Sequence, residues 1–140
     1  MANVVRQTEI ADIATQILAE EGRDALTMRR VASRLGVRAP SLYKHVSGKD
    51  EIEILVASRG WSVLASALRA SVDPVAAQRR FALAHRALYL LMADRLPDPL
   101  PPVPIDRLAL GHGLALLELA GADVGSPPTR AVVRSLRGPD

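Results

Sequence analysis

Between Met28 and Lys49 the chain carries Arg29, Arg30, Arg34, Arg38, Lys44 and Lys49, with no aspartate or glutamate among them. Glu20, Glu21 and Asp24 precede the stretch, and Asp50, Glu51 and Glu53 follow it. The whole chain is close to neutral, at +3. A basic patch on a nearly balanced chain is suited to docking a polyanion on one face. A solvated basic surface is the duller alternative. Interleaved with the cations are Ala39 and Ser41, small enough to let a backbone approach closely, and Tyr43, long enough to reach a phosphate or a base edge. Pro40 sits in the first turn of a helix, where an amide has no intrahelical partner to lose. Lys49 sits in the first turn of the next helix, where the dipole favours an anion. A phosphate bound there would suit both the free amides and the ammonium group.

Other chemistries find no support. The three histidines have no cysteine partner, no H-E-x-x-H spacing occurs, and neither a G-x-S-x-G elbow nor a phosphate loop is present. An enzyme is not expected, nor a metal or other cofactor. The absence of cysteine excludes disulfides and thiolate metal sites and fits a reducing cytoplasm. No charge-free apolar run reaches the length of a membrane span, and the N-terminus, MANVVRQTEIAD, does not read as a signal peptide. A cytoplasmic protein is expected. With 49% apolar and 24% charged residues, the 140-residue chain can bury a core and is not of disordered composition.

Helices must position the patch, because apolar residues recur at steps of three and four and no strand-like alternation persists. Ile10, Ile13, Ala14, Ile17 and Leu18 form the first stripe, which Gly22 stops. Thr27 is placed to cap a short helix over 28–35, and Gly36 ends it. A third helix is expected over 39–45, with Leu42 and Val46 inward. Ser47 and Asp50 then make a capping-box-like start for a long helix over 48–71. Gly60 within it invites a bend or close packing. A helix over 74–95 follows. PDPLPPVP at 97–104 is a stiff connector. An apolar helix spans 105–122, and a last short one 129–136. The fold class expected is all-α, with a three-helix domain at 1–50 and a helical regulatory or dimerisation domain at 51–140.

Two short helices about Gly36-Val37 form a helix-turn-helix pattern, whose second helix enters the major groove while the first braces across the backbone. The string LTMRRVASRLGVRAPSLYKHVSGKDEI resembles the DNA-binding segment of the tetracycline-repressor (TetR-type) family of bacterial regulators. The shared features are the threonine at the helix start, V-A-x-x-L-G-V, S-L-Y-x-H and the lysine-acid pair beyond it. The resemblance covers about residues 8–56. It implies phosphate contacts at Thr27, Tyr43 and Lys49, and a recognition surface of Arg38, Ala39, Pro40, Ser41, Lys44 and His45. Arg29, on the bracing helix, is a further candidate for a phosphate. Val46 stands where many relatives carry an aromatic residue.

More weakly, QRRFALAHRALYLLM and GHGLALLELAG are similar to helices of a TetR subgroup with a Trp-His-Gly motif, Gly111 standing in place of the tryptophan. The function implied is a transcriptional regulator, a repressor released by a small apolar or amphipathic ligand. It would act as a homodimer on a two-fold DNA operator, since linking two weak modules raises their effective concentration. Trp61, His85, Tyr89, Met92 and His112 are candidates to line the ligand site, although such residues are more often core. Two other readings stay open. One is a helical ligand-binding or protein-interaction module that no longer binds DNA, and the other an amphipathic protein of membrane surfaces.

Overall fold

Thr27 fixes where the second helix begins. Its backbone is extended, and its Oγ1 accepts the Arg30 amide at 3.1 Å, satisfying one of the donors that a helix start leaves unpaired. Gly36 fixes where that helix ends. At φ 68° it takes the left-handed conformation, and the amide of Val37 folds back to Ala32 O at 3.0 Å. In the computed structural model, which describes residues 2–97 and 105–121, all the regular elements among the described residues are helical. They are α1 (Ala2–Glu21), a 3-10 turn (Arg23–Ala25), α2 (Met28–Leu35), α3 (Ala39–Leu42), α4 (Lys49–Ala70), α5 (Pro74–Ala84), α6 (Arg86–Asp94) and α7 (Ile105–Leu119). The connector expected at 97–104, apart from Pro97, and the helix expected at 129–136 lie outside the described residues.

Three boundaries differ from the sequence reading. The third helix stops at Leu42 and continues as turns to His45, whose amide bonds Leu42 O. At the start of α4 it is Glu51 rather than Asp50 that reaches back, accepting the Ser47 amide at 2.6 Å. This bond holds the Glu51 carboxyl below the usual range. The helix expected at 74–95 is two helices, broken at His85, which lies at φ −129° and ψ 50°. The break has a tertiary cause. The described residues separate into two compact units, 2–63 with 87–97 and 64–86 with 105–121, so α5 and α6 pack into different cores.

The first unit is built round Ile10, Ile17, Val31, Leu42, Ile52 and Leu91, all buried. Val46 joins this core at 2% exposure, so an aliphatic side chain there completes the packing. Gly60 lets α6 lie close to α4: a Cβ at that position would meet Met92 Sδ at 2.5 Å. Next to it the Trp61 Nε1–H donates to the carbonyls of Met92 and Arg95, each at 3.2 Å. Among the described residues of this unit, one carboxylate is buried. Glu53, only 3% exposed, accepts Arg23 Nε and Nη2 at 3.0 Å each and Arg95 Nη2 at 2.9 Å. Asp94 pairs with Arg23, and Asp50 with Arg95, at the rim of the same network.

In the second unit α5 packs on α7. Val75 and Leu114 form the core with Leu110 against them, and Asp73 caps α5 by accepting the Ala76 amide at 3.1 Å. Arg79 pairs with Glu118, and Arg86 Nη1 donates to Leu119 O at 2.6 Å. The closest approach is at Gly111, where a Cβ would run into Oε1 of the buried Gln78 and lie 3.3 Å from its Cβ.

Gly111→Leu should therefore destabilise the second unit by about 1–3 kcal/mol despite its better helix propensity, because overpacking forces the helices apart. Urea unfolding of the variant against the parent reads this directly. A second outcome concerns Glu53. Its hydrogen bonds from Arg23 hold the carboxyl below its ordinary range against the opposing effect of burial. A depressed carboxyl pKa adds stability that is complete above the unfolded value, about 4.3, and is lost as pH falls through the folded value. Glu53→Gln should cost about 3 kcal/mol at neutral pH and flatten the acid limb of the urea midpoint plotted against pH.

Candidate nucleic-acid interface

Leu42 and Val46 anchor α3 and its following turn to the core of the first unit, which turns the other side of the segment outward. Arg38, Pro40, Ser41, Tyr43 and Lys44 are exposed, and Ala39 and His45 are half-buried. Tyr43 is 55% exposed, a large ring left in solvent although apolar core lies directly beneath the helix. The His45 carbonyl accepts Gln7 Nε2 at 3.4 Å, which ties the end of this segment to α1.

On α2 the exposed positions are Arg29, Arg30 and Ser33. With Ala25 and Thr27 they line an open depression at the start of the helix. Helix N-termini favour anions, and Thr27 is exposed at that end. Lys49, the first residue of α4, extends its ammonium group to Arg23 O at 3.3 Å, on the turn that leads into Thr27. The Ser47 amide is already occupied by Glu51, so an anion near the start of α4 would depend on the Lys49 side chain more than on that amide.

The sequence shows six cations without a nearby acid, and the fold corrects this. Arg30 is held by Glu21 through Nε at 2.9 Å and Nη2 at 2.7 Å. Arg34 pairs with Glu20 and with Glu21. Both carboxylates come from the end of α1, which packs beside α2, and the pairing lowers the Glu21 pKa through its bond to Arg30. Among the described residues, Arg29, Arg38, Lys44 and Lys49 have no carboxylate partner. These four are exposed. In the sequence Glu20 and Glu21 stand only as acids flanking the basic stretch; their pairing with Arg30 and Arg34 arises when α1 packs beside α2. Sequence reasoning missed Arg23 and Glu53, whose relation to Lys49 is a matter of packing. The one local signal was the four-residue step from Lys49 to Glu53, which places them on one face of α4.

The residues considered for a ligand site are divided. Trp61, Tyr89 and Met92 belong to the first unit and are buried, at 4%, 1% and 0% exposure. The indole N–H of Trp61 is taken up by two carbonyls. His85 and His112 belong to the second unit. His85 is exposed, with its ring 4.9 Å from that of Phe81. His112 is half-buried on α7, and desolvation lowers its pKa. Among the described residues no cluster of three histidine, aspartate or glutamate side chains could hold a metal ion. No helix among them is long and apolar enough to cross a membrane.

Residues 10–53 match the family model described as bacterial regulatory proteins, tetR family. The chain is 31% identical over 113 residues to the HTH-type transcriptional repressor DrrR1 of Streptomyces coeruleorubidus, covering 71% of this chain and 39% of that protein. It is 38% identical over 72 residues to the tetracycline repressor protein class D of Escherichia coli, covering 47% of this chain and 33% of the repressor. The chain thus spans well under half the length of these curated relatives. The crystal structure of SCO4313 superposes with a TM-score of 0.72 at 22% identity, over 99% of this chain and 98% of that one, a likeness of fold. The helix-turn-helix at α2–α3 lies inside the match, and residues 10–53 of this chain are a TetR-type segment of the bacterial regulatory kind.

Proposed function

We propose that this protein is a sequence-specific DNA-binding transcriptional regulator, a repressor acting as a homodimer on a two-fold operator in the cytoplasm. The observation that carries the reading is a set of four exposed cations without carboxylate partners, Arg29, Arg38 and Lys44 on the helix-turn-helix and Lys49 at the start of α4, while Val31, Leu42 and Val46 face the buried core. In this reading residues 1–50 bind DNA and residues 51–140 regulate and dimerise. Thr27, Arg29, Tyr43 and Lys49 hold phosphates. Arg38, Ala39, Pro40, Ser41, Lys44 and His45 lie on or near the helix that enters the major groove, which admits one helix and distinguishes all four base pairs. The name of DrrR1, a transcriptional repressor, supports the sign of regulation.

Dimerisation follows from the size of the module, since one such domain covers roughly 600–1,000 Å² of DNA and binds weakly alone. Leu83 on α5 and Leu117 on α7 are more than half exposed, apolar surface that a second copy can cover. Release by a small apolar or amphipathic ligand completes the proposal. That ligand would act on the helical second half, with His85 and His112 as its nearest candidates there.

Selection of bound fragments from random duplex DNA should return a symmetric motif. Lys49→Ala should weaken binding to every duplex to a similar degree and flatten the dependence of log K on log salt by about 0.9 per protomer. Ser41→Ala and Lys44→Ala should instead change which bases are enriched. Wild-type protein that binds no duplex at low salt, or binding indifferent to all three substitutions, overturns the proposal.

A further inference from the structure

Lys49 and Glu53 lie one turn apart on the same face of α4, and both hold Arg23. Glu53 takes the guanidinium group in a two-pronged bond, 3.0 Å on each side. Lys49 donates to the main-chain carbonyl of the same residue at 3.3 Å. That carbonyl also accepts the Leu26 amide at 3.1 Å, which closes the 3-10 turn. One residue later Thr27 caps α2, its own amide bonded to Ala25 O at 2.9 Å. A planar guanidinium on a carboxylate fixes both position and orientation, which a single ammonium bond does not. Glu53 is buried while Arg23 is partly exposed, so the carboxylate side of the grip is shielded from competing water.

We infer that Arg23 is a positioning residue for DNA binding: gripped by α4 through its side chain, it places its carbonyl to hold the Lys49 ammonium group. The inference rests on the DNA-binding reading above and adds a residue that itself touches no DNA. Lys49 uses one of its three donors on Arg23 O and keeps the others for a phosphate. Without the grip, the lysine samples solvent, so its charge remains while its location is lost.

The test uses the full chain and random-sequence duplex DNA, with affinity measured across a salt series. Arg23→Gln removes the guanidinium but leaves Arg95 on Glu53, so the buried carboxylate retains a cation. Affinity should fall about tenfold, the scale of a lost charged hydrogen bond, and the salt slope should flatten toward that of Lys49→Ala. The Arg23→Gln, Lys49→Ala double variant should bind no more weakly than Lys49→Ala alone, because Arg23 acts through Lys49. Arg23→Lys, which keeps the charge and loses the second prong, should show a smaller loss with the same non-additivity, and it serves if the glutamine variant fails to fold. Additive losses in the double variant, or wild-type binding by Arg23→Gln, overturn the inference while leaving the DNA-binding reading intact. A wild-type protein that binds no duplex overturns both.

Discussion

A carboxylate at 3% exposure in a helical core must be met by cations or be protonated. Glu53 is met twice, by Arg23 and Arg95. Those partners come from the turn before α2 and the residue after α6, while Glu53 itself lies on α4. The requirement that one buried charge be satisfied therefore specifies which three segments adjoin in the first unit. Apolar packing alone would tolerate small slips between these helices; a forked bond of fixed geometry does not. Trp61 adds a second fixed bond across the same α4–α6 seam through its indole N–H.

The division of labour between arginine and lysine follows from the same physics. The chain has 16 arginines and only two lysines. Arg23, Arg30, Arg34, Arg79 and Arg95 are spent on carboxylates within the fold, a task that suits a planar, weakly hydrated, permanently charged group. Both lysines stand on the outward surface beside the helix-turn-helix. An ion pair produces little field beyond its own vicinity, so Arg30 and Arg34 contribute far less to the attraction of a polyanion than a count of charges implies. The remaining cations are fewer, and the surface they define is narrower and more directional than the basic stretch in the sequence.

Much of the helix-turn-helix was legible because its signals are local. The ends of α2 follow from Thr27 and Gly36, whose side-chain oxygen and missing Cβ determine what the backbone does there. The inward placement of Leu42 and Val46 follows from helical spacing. The break at His85 was not legible, because neither proline nor glycine marks it and the cause is the allotment of α5 and α6 to separate cores. The clamps on Arg30 and Arg34 were hidden for the same reason: Glu20 and Glu21 lie 9 to 14 residues away in sequence and meet them only when α1 packs on α2. Residues proposed for DNA contact could be chosen from the sequence. The residues that hold them in place could not, since positioning is a property of the tertiary fold.

The two helical glycines with close neighbours carry this point into both units. Gly60 faces Met92, and Gly111 faces Gln78. At each, the space a side chain would fill is taken by a residue from the facing helix. A larger side chain at 111 could not coexist with Gln78 in its present place, so the close α5–α7 packing depends on that glycine. His112, the next residue, is then set by that packing: desolvation, not a charged partner, is what lowers its pKa. A neutral imidazole on a half-buried helix face favours hydrogen bonding over ion pairing.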